Sequence, residues 1–152
     1  MLGTVRQLAS PNLVGFSRFA LTPSSFAAAA FLTELVSIVL IAIATGMSYH
    51  WVVYGEAGFV ETYAAIGSLA GLGYSLAFLI REEYAIGVFM EGRRSPGRVF
   101  LTWSFVFIGL AVIGFLTKST HEFSRGWLAV FFVSGLASVL VLNSALRRAV
   151  VY

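Results

Sequence analysis

The chain is 152 residues long, 59% hydrophobic and only 11% charged, with a mean hydropathy of +0.88. A soluble domain carries about 25% charge and no more than about half apolar residues, so disorder, a fibrous repeat and an ordinary water-soluble globule are excluded. The composition is that of a membrane protein, and the net charge of +3 is first a topology signal rather than a pointer to nucleic acid.

Residues 1–22 hold Arg6 and Arg18 but no continuous apolar core, so they do not read as a cleavable signal peptide. They are expected to form a cytoplasmic or interfacial N-terminal segment. Thr22-Pro23-Ser24-Ser25 then supplies an N-cap residue followed by proline at the first helical position. One long helix is expected from about Pro23 to about Tyr49, entering obliquely along the interface before crossing.

A span needs about 20 helical residues to cross ~30 Å of hydrocarbon. Leu35 to Tyr54 lies within the 21-residue uncharged gap between Glu34 and Glu56. Thr62 to Ile80 gives 19 residues, Val99 to Thr117 gives 19, and Gly126 to Leu146 gives 21. These windows lack the polar faces that helices of a soluble bundle need. The fold class is therefore an all-α membrane protein with four transmembrane helices, its membrane domain spanning residues 23–148 and its C-terminal tail 149–152.

Between the second and third spans, Tyr84-Ala85-Ile86-Gly87-Val88-Phe89-Met90 is apolar but too short to cross. It reads as a helical segment at headgroup level, ended by Ser95-Pro96-Gly97. Tyr49, Trp51, Tyr54, Tyr63, Trp103 and Trp127 stand near span ends and are expected to form an interfacial aromatic belt. Eight basic residues (Arg6, Arg18, Arg81, Arg93, Arg94, Arg98, Arg147 and Arg148) fall on one side, against Lys118 and Arg125 on the other. The positive-inside rule then places both termini in the cytoplasm.

Few constellations carry chemistry. Glu34 has two readings: an intramembrane carboxylate serving as a proton or cation site, or a side chain near the cytoplasmic headgroups. The uncharged window that follows it favours the second. Gly67 and Gly71 form a GxxxG pattern, which suits close helix packing either between two copies or within one bundle. Gly71-Leu72-Gly73 lies inside a span with no strand before it, so it does not start a nucleotide-binding loop. Glu82-Glu83 and the stretch Lys118 to Glu122 with His121 read as solvated loop charge. The two histidines, His50 and His121, are far apart, and with no cysteine neither a metal site nor a disulfide is expected. No cofactor is expected.

Three segments carry a resemblance: Arg98-Val99-Phe100-Leu101-Thr102-Trp103, Phe115-Leu116-Thr117-Lys118-Ser119-Thr120, and Phe123-Ser124-Arg125-Gly126-Trp127-Leu128. They resemble one region of bacterial polyprenyl-phosphate glycosylphosphotransferases, the sugar transferases that start exopolysaccharide or O-antigen synthesis on undecaprenyl phosphate. Arg81-Glu82-Glu83-Tyr84 is similar to that family's stretch after its second helix, and the likeness covers about Thr33 to Arg148. The resemblance implies a four-helix membrane domain. In such enzymes the catalytic part follows the fourth helix, whereas this sequence ends at Tyr152. The expectation is a non-catalytic anchoring and oligomerisation module, by itself not an enzyme, with Gly67 and Gly71 as packing candidates. Its expected partners are the lipid bilayer and either a second copy or a larger membrane complex. Two other readings stand beside it: an accessory subunit of a light-harvesting or electron-transfer assembly, and a small proton-coupled exporter using Glu34.

Overall fold

The structure, a computed structural model, describes residues 23–56, 58–116 and 124–151. Five helices run in chain order: α1 Pro23–Tyr54, α2 Val60–Ile80, α3 Ile86–Met90, α4 Pro96–Leu116 and α5 Arg125–Val151. All but the five-residue α3 are long and apolar enough to cross a membrane. The protein is thus an all-helical, multi-pass membrane protein by length and composition. The N-terminal segment, the whole Lys118 to Glu122 stretch including His121, and Tyr152 lie outside the described residues.

Helix α1 opens on Pro23, whose fixed φ and missing N–H suit the first turn. Its 32 residues give a length of about 48 Å, well beyond ~30 Å of hydrocarbon. It runs past the expected end at Tyr49 and closes at Gly55, where φ is +76° and the amide donates to the Trp51 carbonyl at 3.1 Å.

The turn from α2 to α4 is built by two left-handed residues. At the end of α2, Glu82 adopts φ +56°, and the Glu83 amide donates back to the Phe78 carbonyl at 3.0 Å. That is a Schellman closure with glutamate where glycine is favoured, at a cost of about 1–2 kcal/mol. It turns Glu83 and Tyr84 inward, so both are buried. At the end of α3, Gly92 has φ +67° and the Arg93 amide donates to the Val88 carbonyl at 3.1 Å. This second closure sends Arg94 back into the bundle. Ser95 then caps α4, its hydroxyl accepting from the Arg98 amide at 3.4 Å, with Pro96 first in the helix.

Helix α1 packs on α2 and α5, α2 on α4, and α3 on α5 and α1. The α1–α2 contact is close because α2 offers small residues. A Cβ at Gly67 would stand 2.7 Å from Ala42 Cβ and 3.1 Å from Val39 Cα, and one at Gly71 would stand 2.7 Å from Leu35 Cδ1. Both glycines are buried against α1 of the same chain, on a face that a second copy does not reach in this arrangement.

The expected aromatic belt needs correction. Trp51 and Tyr54 are exposed, but Trp103, Trp127 and Tyr63 are core residues. Trp103 donates from Nε1 to the Phe132 carbonyl at 2.9 Å, and Trp127 from Nε1 to Thr45 Oγ1 at 3.3 Å. Phe131 stacks parallel on Trp127 and edge-on to Trp103, with centroids 5.7 and 5.9 Å apart. An indole N–H inside a dry bundle needs an acceptor, and neighbouring helices supply it.

Candidate functional site

The most polar part of the interior lies at the arginine-rich end, beneath the turn from α2 to α4. Four elements converge there. Glu34 comes from α1, Tyr74 and Ser75 from α2, Tyr84 and Arg94 from the segments flanking α3, and Asn143 from α5. All six are buried, and Glu34, Tyr74 and Ser75 are wholly without exposure.

The contacts form a connected network. Arg94 Nη2 lies 2.7 Å from Glu34 Oε1 and donates to the Tyr74 hydroxyl at 3.0 Å. The Tyr84 hydroxyl donates to the other carboxylate oxygen, Glu34 Oε2, at 2.5 Å. The flat face of the Arg94 guanidinium stacks over Phe78, with Cζ 3.9 Å from the ring centroid. Asn143 Nδ2 donates to the Arg94 carbonyl at 3.3 Å, fixing the backbone from which that side chain departs.

The electrostatics follow from burial. Taking either charge alone out of water would cost several kcal/mol, so the pair is sustained only by mutual attraction and by the two tyrosines. Burial works most strongly against the Arg94 charge, but the Glu34 carboxylate, its hydrogen bond and the two tyrosines together outweigh it and hold the guanidinium above its ordinary pKa. Burial, then the Glu34 charge, pushes the Tyr84 phenol well above its ordinary value. Tyr84 is therefore a neutral donor and Arg94 a fixed cation at any physiological pH.

Glu34 precedes the last residue of α1 by 20 positions, or about 30 Å along the axis, which is one hydrocarbon thickness. The carboxylate itself is sealed inside protein, with no exposed surface. Neither carboxylate oxygen faces an open path.

A second ion pair lies nearby. Arg98 Nη1 contacts Glu83 Oε1 at 3.2 Å, and Glu83 is buried while the Arg98 side chain stays mostly exposed. The expectation that Glu82 and Glu83 are both solvated loop charge holds for the exposed Glu82 and fails for Glu83. The left-handed turn at Glu82 is the physical reason, because it reverses the direction of the next side chain. Sequence reasoning also counted Arg94 only as a topology charge. Its signal was Asn143, the one amide inside the fourth apolar window, since a polar group there needs a buried partner. At the opposite end of the bundle, Tyr63 and His50 Nδ1 are 2.6 Å apart, a contact between α2 and α1. Among the described residues no three metal-ligating side chains gather.

A family model described as a CoA-binding domain matches residues 79–152, just under half of the chain. Domains of this description occur in polyprenyl-phosphate sugar transferases, and the match is compatible with that family. The matched stretch begins at the last residues of α2 and takes in α3, α4 and α5. Its described residues are helical or turn, with no strand from which a nucleotide-binding sheet could be built. No curated protein and no solved structure matches the chain.

Proposed function

We propose that this chain is the membrane module of a polyprenyl-phosphate sugar transferase system, acting as anchor and scaffold and carrying no transferase chemistry of its own. The observation that carries the reading is how its buried carboxylates are used. Phosphoryl transfer needs a free, positioned carboxylate. Glu34 is instead held by Arg94 and Tyr84, and Glu83 by Arg98. The match over residues 79–152 and the four apolar helices are compatible with such a module. The charge asymmetry supports both termini in the cytoplasm, and the resemblance to bacterial transferases makes the membrane a bacterial inner membrane in this reading.

The test is direct. The purified chain in mild detergent should transfer no hexose 1-phosphate from a nucleotide sugar to polyprenyl phosphate, and reporter fusions at residue 152 should be cytoplasmic. Turnover by the purified chain, or a C-terminus outside the cytoplasm, overturns the corresponding half of the proposal.

A second reading draws on the outer face of α4. Leu101, Phe105, Ile108, Val112 and Phe115 are each more than half exposed, and they recur at helical spacing along one side. Such a track suits packing against another membrane protein as an accessory subunit, whether a second copy or a larger complex. Stoichiometric co-migration with other subunits after mild solubilisation supports that reading; a lone chain or homodimer removes the larger complex.

A further inference from the structure

We propose that the groove between the end of α2 and the first turns of α4 is a binding site for an anionic phospholipid headgroup. The groove measures about 560 Å³ and is lined by Arg81, Glu83, Arg98, Leu101, Thr102 and Phe105. That volume falls in the range of small-molecule sites, about 300–1,000 Å³.

Its chemistry is divided by depth. At the rim stand two guanidinium groups from different helices. Arg81 ends α2 and reaches Thr102 Oγ1 from Nη1 at 3.3 Å, while Arg98, one turn before Thr102 on α4, contacts Glu83 at 3.2 Å. Each arginine has five N–H donors, and each makes one side-chain hydrogen bond among the described residues. Both side chains line the groove, and the lining carries one net positive charge from two arginines and one glutamate. Planar guanidinium forks on two elements suit a phosphate that needs donors from more than one direction.

Immediately along α4 the surface becomes apolar. Leu101 and Phe105 line the groove and are 56% and 69% exposed, and the track continues through Ile108, Val112 and Phe115. From Leu101 to Phe115 is about 21 Å along the helix axis, longer than one leaflet's share of ~30 Å of hydrocarbon. A soluble anion would use the arginines and leave this track bare. A phospholipid uses both, with its phosphate at Arg81 and Arg98 and an acyl chain on Leu101 and Phe105. Thr102, buried between them, holds the Arg81 side chain over the groove.

The test is native mass spectrometry of the full chain, released from nanodiscs containing phosphatidylglycerol and phosphatidylcholine in equal amounts. The wild-type chain should retain phosphatidylglycerol preferentially. Arg81→Gln and Arg98→Gln should each weaken retention about fivefold and together about 25-fold, from the usual contribution of one basic residue near an anionic lipid surface. Arg148→Gln, near the C-terminal end of α5 and not in the groove's lining, should leave retention near wild type, and the Arg81→Lys/Arg98→Lys pair should keep most of it. Arg81 is exposed and pairs with no carboxylate among the described residues, so an unchanged thermal unfolding midpoint in Arg81→Gln separates loss of lipid from loss of fold. Arg98→Gln also strands the buried Glu83 and should melt lower. Equal retention of the two lipids, or retention indifferent to both glutamine substitutions, overturns the proposal. Displacement of the lipid by millimolar inorganic phosphate overturns the lipid assignment, because it shows a site that reads phosphate without the apolar track.

Discussion

Replacing Arg94 with methionine tests the account of the buried cluster most severely. The substitution keeps much of the stem but removes the 2.7 Å contact to Glu34, the 3.0 Å hydrogen bond to Tyr74 and the stacking over Phe78 at 3.9 Å. It leaves the Glu34 carboxylate, which has no exposed surface, with Tyr84 as its remaining partner. Stranding one member of a buried pair costs about 3–5 kcal/mol, and that single term outweighs the stacking, about 2 kcal/mol when desolvated. Adding Glu34→Gln removes the stranded charge while keeping an acceptor for Tyr84. The double variant should therefore be more stable than Arg94→Met alone, with a coupling energy of about 2–3 kcal/mol. Unfolding in mixed micelles, followed by the emission of the buried Trp103 and Trp127, measures all four corners of the cycle. A coupling below about 0.5 kcal/mol, the level of ordinary additivity, would refute the claim that the two charges depend on one another.

Two further outcomes follow from contacts already described. Gly67→Ala should destabilise by about 1–3 kcal/mol through forced separation of α1 and α2, since its methyl would meet Ala42 Cβ at 2.7 Å and the Val39 backbone at 3.1 Å. Gly109→Ala on α4, where an added methyl meets nothing within 4 Å, should be neutral or stabilising by up to about 1 kcal/mol; the two can be compared in one thermal melt series. Tyr84 is pushed above its ordinary pKa of 10.0, so its folded form holds a proton that the unfolded form releases at high pH. That stability is fully present below about pH 10 and is lost as pH rises further. Tyr84→Phe should flatten part of the alkaline decline in a pH series of unfolding midpoints, and an unchanged slope would count against the assignment.

The four spans were legible because length and charge spacing carry them. Apolar windows of 19 to 21 residues bounded by Glu34 and Glu56, Glu61 and Arg81, Arg98 and Lys118, and Arg125 and Arg147 allow little else. The helix start at Pro23 was legible too, because proline at the first helical position acts through local backbone geometry alone. The candidate site was legible only in its members. Glu34 stood out as a carboxylate beside an apolar run, but its partner lies 60 positions away at Arg94, and nothing local distinguishes Arg94 from the exposed Arg93. The backbone reversals at Glu82 and Gly92, which turn Glu83 and Arg94 inward, are properties of φ that composition does not report.

What the sequence by itself determined is the number of apolar helices long enough to cross a membrane and the charged residues that punctuate them. Only the tertiary structure decided which apolar residues face protein and which face lipid. In water the hydrophobic effect marks the inner face of a helix with a stripe of apolar residues. In hydrocarbon both faces are apolar, and helices choose partners by close packing of small residues and by satisfying polar groups. Gly67 and Gly71 could therefore have met α1 or a second copy, and Trp103 and Trp127 could have lain at the interface or in the core. The packed bundle resolves each case by shape and by hydrogen-bond partners: Val39 and Ala42 beside Gly67, and the Phe132 carbonyl and Thr45 hydroxyl for the two indoles.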